Sequence, residues 1–298
     1  MKVREGPDTS RRPERGIAHG VDKFAARTAR SRVRIAYLKQ FGRYPNISNP
    51  RLFTEWVQWR KLHDRSPHHP LRMDKIAAKA FASDLLGPEW TIPTLWSGRR
   101  LPERPNVLGK VMLKARHGCG QNAAISEEVS EAEWRGLQAL SREWCKIPYG
   151  GSIGEWAYTP VPRGLLIEPF VTDTGDLPID YKIYVFGGVA THVQVHLDRG
   201  RQHRWVLHDR QFRPLSKSVE RLTPPRTLAA MIDAAEALAA NEDFMRVDFY
   251  EVGGRPLFGE FCLYPGSGHH RFALPELDRC LGNIWTRAVK ARRFPSGT

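Results

Sequence analysis

Four places along the chain set charged side chains where they could handle a phosphate and a divalent cation. Lys114 ends the apolar run Val111-Met112-Leu113, and the turn His117-Gly118-Cys119-Gly120-Gln121-Asn122 follows at once. Glycines in such a turn let backbone N–H groups close on an anion, and the lysine adds a point charge. The same pattern also describes a surface lysine beside a turn. Lys182 sits in Asp180-Tyr181-Lys182-Ile183-Tyr184, where the two-residue period of a strand puts Lys182 and Tyr184 on one face. Taken alone, a lysine there is more often exposed. Arg246 and Asp248 alternate with Met245, Val247 and Phe249, so both charges share a face. They are either a solvated salt bridge or a carboxylate for Mg²⁺ beside a guanidinium for developing negative charge. Glu260 lies twelve residues beyond Asp248, across the turn Gly253-Gly254. A hairpin of that size sets two carboxylates side by side, which is unfavourable unless a cation sits between them. A metal ion meets that need; a basic neighbour could meet it too.

Several elements must position these residues. Residues 1–20 are Arg-rich and broken by Pro and Gly, and read as a mobile tail. A helical region over 21–95 follows: a basic helix to Phe41 stopped by Gly42, a helix started by Asn49-Pro50, and a helix over 71–86 closed by Gly87. From 96 to 170 the spacing predicts the strand that carries Lys114, a helix over 130–144 and the strand Leu165-Leu166-Ile167-Glu168-Pro169. From 171 onward strands dominate: 181–186 and 189–196 joined by Gly187-Gly188, a helix over 224–240, then 244–250 and 256–262. Without strict alternation of strand and helix, this predicts α+β lobes rather than a doubly wound sheet.

Composition bounds the function. Lys and Arg number 46 against 32 Asp and Glu, a net charge of +14. Such a surplus attracts polyanions, whether nucleic acid, anionic membrane, acidic polysaccharide or phosphorylated small molecules. No run suits a membrane span and no apolar stretch suits a signal peptide. Cys119, Cys145, Cys262 and Cys280 form no CxxC pair, and together these features predict a reducing, cytoplasmic setting. Gly118-x-Gly120-x-x-Ala123 is a weak dinucleotide signature, and no Walker A loop is present. His192 and His196 share a strand face with His203 and His208 nearby, but no carboxylate or cysteine completes a transition-metal set. His269 and His270 follow Pro265-Gly266-Ser267-Gly268; acceptor contacts and a plain loop surface are equally open for them. Ser267 has no base near it in sequence that marks a nucleophile.

The stretches NPRLFTEWVQWRKLHDRSP, VMLKARHGCGQN, LIEPF, GDLPIDYKIYVFGG and MRVDFYEVGGRPLFGEFCLYPGSG occur in an order and spacing that resemble the TupA-like family of the ATP-grasp superfamily, over about residues 35–285. The resemblance implies ATP clamped between two α+β lobes with antiparallel sheets, at 96–170 and 171–298. It implies that Lys114 and Lys182 contact the phosphates and that His117, Gly118 and Gly120 bind the nucleotide phosphates too, from a mobile glycine-rich flap. Glu168, Pro169 and Phe170 are then the inter-lobe hinge beside the adenine, Asp248 and Glu260 hold Mg²⁺, and Arg246 steadies an acyl-phosphate. Many ATP-grasp ligases carry an Asn two residues after the glutamate. Here that position is Cys262, a poor ligand for a hard cation, which argues against a second tightly held Mg²⁺.

The implied reaction is ligation of a carboxylate to an amine through an acyl-phosphate, in the making of bacterial surface polysaccharide. Phosphoryl transfer to a sugar hydroxyl would use the same ATP residues. A polyanion-binding protein with a degenerate ATP site is the third reading. Nucleic acid is disfavoured because Trp56, Trp59, Trp134 and Trp144 fall at helical core spacings. The basic helix over 21–41 suits peripheral contact with an anionic membrane.

Overall fold

The computed structural model describes residues 15–105, 108–172, 174–198, 202–215 and 222–293, with the backbone alone for 15–27 and 293. The expected tail lies outside the described residues only up to position 14. Helix α1 (Arg15–Phe41) already runs through 15–20, so that part of the expectation is corrected. Helix α2 (Phe53–His63) starts later than Asn49-Pro50 suggests. Glu55 explains the shift: its carboxylate reaches back to the N–H groups of Arg51 (3.0 Å) and Leu52 (3.3 Å) and satisfies the first turn. The single helix expected over 71–86 is two, α3 (His69–Met73) and α4 (Lys75–Leu86). Asp74 breaks it, with extended backbone and a side chain that accepts from the N–H of Ile76 and Ala77.

The first sheet has the order β1-β4-β2-β3, from β1 (Trp96–Gly98), β2 (Val111–Ala115), β3 (Asn122–Ile125) and β4 (Leu165–Pro169), all antiparallel. Helix α5 (Glu131–Lys146) opens with a capping box, Ser130 and Glu133 each bonding the other's backbone N–H. It covers this sheet through Trp134, which packs on Val111, Leu113, Ile125, Leu165 and Ile167. β1 and β3 are too short to be read from the sequence pattern.

The second sheet has the order β7-β6-β5-β8-β9, again antiparallel. Its strands are β5 (Asp180–Phe186), β6 (Val189–Leu197), β7 (Arg204–Asp209), β8 (Phe244–Val252) and β9 (Arg255–Cys262). Gly187-Gly188 and Gly253-Gly254 all have positive φ, the conformation of the two-residue hairpin turns that match strand twist; they start both registers, and a bulge then shifts each by one, between Tyr184 and Val185 and between Asp248 and Phe249. One face is apolar: Ile183, Val185, Val193, Met245 and Val247 pack with Met231 and Ala235 of α6 (Leu228–Leu238).

The larger core belongs to this sheet and to both ends of the chain together. Phe53 of α2 meets Tyr184, Phe186, Phe244 and Trp285 of α7 (Pro275–Arg293), a helix absent from the sequence expectations. Trp56 stacks on Trp285 at 5.7 Å. Fully buried Arg60 donates to the Phe244 carbonyl (2.7 Å) and pairs with Asp243 and Asp64, docking α2 on the start of β8.

Candidate active site

The charged face of the second sheet is buried, not solvated. Lys182, Arg246 and Asp248 are all at most 8% exposed. Strand register brings them together. Lys182 lies opposite Asp248 on β8, and Asp248 lies opposite Glu260 on β9. Gly259 is the extra residue that bulges β9 at this point, and its bare Cα lies close to the Asp248 carbonyl and the Tyr250 ring. The two carboxylates sit side by side, as expected from the sequence, but it is this bulge that shifts the register by one and sets them there. Lys182 Nζ donates to Asp248 (2.5 Å) and pairs with Asp180 (2.5 Å), and Arg246 donates two parallel bonds to Asp248 (2.7 Å each).

The third cation was not anticipated. Lys75, at the start of α4, donates to Glu260 (3.1 Å) and to the Gly118 carbonyl of the flap (2.9 Å). One helical turn on, Lys79 donates to Glu168 (2.8 Å) and to Thr94 (2.7 Å). The i,i+4 spacing puts both lysines on one face of α4. The helical region before residue 95 is thus a third wall of the site. Further back, Gln58 and Lys61 of α2 grip the Pro265-Gly266-Ser267-Gly268 turn. Lys61 Nζ donates to the Ser267 carbonyl (2.8 Å) and Oγ (2.6 Å), so a basic group does stand against that hydroxyl. The signal that could have found these lysines is their position on polar faces of otherwise apolar helices. Their partners are too distant in sequence to be inferred.

Lys114 projects from β2 and pairs with Glu168 of β4 (2.5 Å). The Glu168 carboxylate is held by two lysines, while Pro169 and Phe170 line a cavity of about 90 Å³ with Met112, Lys114, Asn122 and Tyr250. The flap is the tip of the β2–β3 hairpin, with Gly120 at φ +71°. His117 is a correction. Its ring is buried in the first lobe, with Nε2 at 3.0 Å from the Trp144 carbonyl and Nδ1 accepting from the Gly164 N–H, so it anchors the flap's base and has no nitrogen left for a phosphate.

On β8 the alternation yields a line of three residues, each about 7 Å from the next. Tyr250 lines the 90 Å³ cavity between the lobes, Asp248 faces Glu260, and Arg246 lines a second, smaller cavity of about 30 Å³ with Gln194, His196 and His270.

Electrostatics follow from burial and pairing. Burial opposes the Lys182 charge, but Asp180 and Asp248 outweigh it and raise its pKa above the ordinary lysine value. Burial likewise opposes ionisation of Glu260 and Glu168. The neighbouring cations, Lys75 first for Glu260 and Lys114 first for Glu168, hold both below the usual carboxylate range. Burial pushes the Cys262 thiol up to about 12, so it stays protonated. Burial, then Lys182 and Arg246, drive His196 down to about 2, so it is neutral; its Nδ1 lies 2.9 Å from His203 Nε2. Burial lowers Lys61 to about 8 against the pull of Glu155.

The donor set suits a hard divalent ion that completes its shell with phosphate and water. Asp248 and Glu260 offer oxygen ligands, and Mg²⁺ is commonly held by one or two carboxylates plus substrate phosphates. Among the described residues no group of three or more His, Cys, Asp or Glu could hold a metal on its own. No described helix is long and apolar enough to cross a membrane.

Residues 55–286 match the family model described as TupA-like ATPgrasp. No curated protein matches the chain. Among solved structures, the fold is similar to a D-alanine–D-alanine ligase from Bacillus anthracis complexed with ATP, at 13% identity over 76% of this chain and 69% of that one, TM-score 0.46. It is similar to the VanG D-Ala:D-Ser ligase from Enterococcus faecalis, at 12% identity over 74% and 61%, TM-score 0.45. It is also similar to the ATP-grasp ligase PsnB complexed with its minimal precursor, at 11% identity over 79% and 69%, TM-score 0.43. The chain spans about two thirds of the length of these structures.

Proposed function

The chain belongs to the TupA-like ATP-grasp family and so is an ATP-grasp enzyme, and on that premise we propose that it joins a carboxylate to an amine at the expense of ATP. The observation that carries the reading is the line Tyr250, Asp248, Arg246 on one strand face, buried at Asp248 and Arg246, with a cavity at each end. The base of the nucleotide fits the inter-lobe cavity against Pro169 and Phe170. Its phosphates then run past Lys114 toward Lys182 and Asp248. Magnesium held by Asp248 and Glu260 would supply charge neutralisation at the transferring phosphoryl group.

The chain's own residues do the rest. The substrate carboxylate attacks the γ-phosphorus near Arg246, whose guanidinium faces the charge that develops there, and ADP leaves with the electrons of the broken β–γ bridge. The amine arrives on the Arg246 side and attacks the acyl carbon, and phosphate leaves with the bonding electrons, taking up the proton the amine gives up. The flap, closing over the bound nucleotide, keeps water from the acyl-phosphate. The net charge of +14 and a groove lined by Arg99, Arg100, Arg142 and Lys146 support an acidic partner, and with it the role in surface polysaccharide synthesis. The basic helix α1 suits an anionic membrane surface, where such a polymer is made.

The test is ADP release from MgATP with a panel of uronic acids and other sugar carboxylates, hydroxylamine serving as the amine. Hydroxamate formed in step with ADP supports ligation. ADP released with a sugar hydroxyl acceptor, and no hydroxamate with any carboxylate, would replace it with phosphotransfer.

A further inference from the structure

Asp74 does more than cap α4. Arg116, two residues before Gly118, grips it with a double ion pair (2.7 and 2.5 Å), and the Lys75 backbone N–H donates to the Arg116 carbonyl at 3.2 Å. The first turn of α4 is therefore built onto the base of the flap. From that fixed start the Lys75 side chain crosses to the other lobe. Its ammonium bonds the Gly118 carbonyl on one side and the Glu260 carboxylate on the other.

We propose that Lys75 stands in for the metal ion at Glu260, and that the same ammonium latches the flap to the second sheet until the metal displaces it. The proposal deepens the reading of Asp248 and Glu260 as metal ligands and rests on it. A carboxylate pair side by side needs a cation, and lysine and arginine side chains provide one for each member: Lys182 and Arg246 for Asp248, Lys75 for Glu260. A divalent ion and an ammonium on one carboxylate repel each other, so arrival of the ion expels Lys75 from Glu260. Lys75 keeps only its bond to Gly118, and the flap is freed from the sheet at the moment the nucleotide's metal is seated. Lys79 provides the internal control. It lies on the same helix face but serves Glu168, so the exchange does not involve it.

The experiment follows Mn²⁺ binding through the spectroscopic signal of the free ion, with and without ADP, in the wild type, Lys75→Met, Lys75→Arg and Lys79→Met. Hydrogen exchange of residues 116–122 is read in the same samples. Lys75→Met should bind Mn²⁺ about tenfold more tightly, the scale of removing one competing charge from a partly screened site. Its flap amides should exchange faster than wild type before any metal is added. Lys75→Arg and Lys79→Met should stay near wild type in both. Equal Mn²⁺ affinity in wild type and Lys75→Met overturns the exchange while leaving the metal assignment standing. An equal gain in Lys79→Met overturns it as well, by revealing a general charge effect. Failure of every protein to bind Mn²⁺ overturns the metal assignment itself. Should Lys75→Met not fold, Glu260→Gln carries the test of the latch: flap exchange must rise in the metal-free protein, and unchanged exchange overturns it.

Discussion

The two sheets meet the nucleotide in opposite ways. The first is small: its core is one cluster around Trp134, its edge strands are three and four residues long, and its contribution to chemistry is Lys114 and a glycine hairpin. The second is large, holds most of the aromatic core, and buries a whole face of paired charges. A lobe that must open and close has little to hold it rigid, whereas a lobe that must present charges in register has its strands clamped by helices from both ends of the chain. On the function proposed above, catalytic geometry is stored in the register of β5, β8 and β9, and the flap only completes it.

If that is right, damage to the second sheet should cost chemistry and damage to the first should cost binding. Asp248→Asn should lower ADP formation by about a thousandfold or more, since it removes the anion that Lys182 and Arg246 share and one metal ligand. Its circular dichroism should stay that of the wild type, and wild-type turnover in this variant would break the assignment. Phe244→Ala, in the middle of the aromatic core, should cost about 3–5 kcal/mol of stability by denaturant titration. Lys114→Met should weaken MgATP binding by about ten- to a hundredfold, roughly 1.4–2.7 kcal/mol, while Glu168 keeps Lys79 as a partner. A variant with unchanged nucleotide affinity and lost turnover would move Lys114 to the chemical side of the comparison.

Acid should act on the second lobe through its histidines. Burial, with Asp209 opposing it, holds His192 neutral down to about 4, and burial and then Lys61 do the same for His269. The unfolded chain protonates such residues near 6.5. Between those values the unfolded state binds more protons, so stability falls as pH drops from about 6.5 toward 4. His192→Gln should flatten that slope by at most about 1.4 kcal/mol per pH unit. A melting temperature constant across this window would show that these rings titrate normally in the fold.

Much of this site was legible in the sequence because strands write their geometry locally. The two-residue period placed Arg246 and Asp248 on one face, and the hairpin at 253–254 brought Asp248 and Glu260 onto neighbouring strands; that Lys182 joins them, and that a bulge at Gly259 sets Glu260 opposite Asp248, came only with the strand pairing. What was not legible was burial. Read alone, an alternating charged face is a solvated one; this face is covered because α2, α4 and the turn at 265–268 close over it. Lys61, Lys75 and Lys79 escaped for the same reason: Lys75 lies 185 residues from Glu260. His117 erred in the other direction. Its place in a glycine turn suggested a phosphate contact, but a ring beside two backbone groups in a dry corner found its bonds there instead. Neither the break at Asp74 nor the helix start at Phe53 follows the Pro and Gly punctuation, because in both cases a carboxylate satisfied the backbone first.

The stacking of Trp56 on Trp285 has a consequence for the order of events during synthesis. Trp56 donates to Thr286, 230 residues further along the chain. At about 5–20 residues per second, α2 waits roughly 10–50 s on the ribosome with its apolar face uncovered. Helix α7 is the one that releases it, so a nascent chain stalled before α7 carries Lys114, Lys182, Arg246, Asp248 and Glu260 and no closed core to hold them. Chaperone dependence should therefore peak late in translation, and slowing the codons just before residue 275 should lower the yield of soluble enzyme more than slowing those between the lobes.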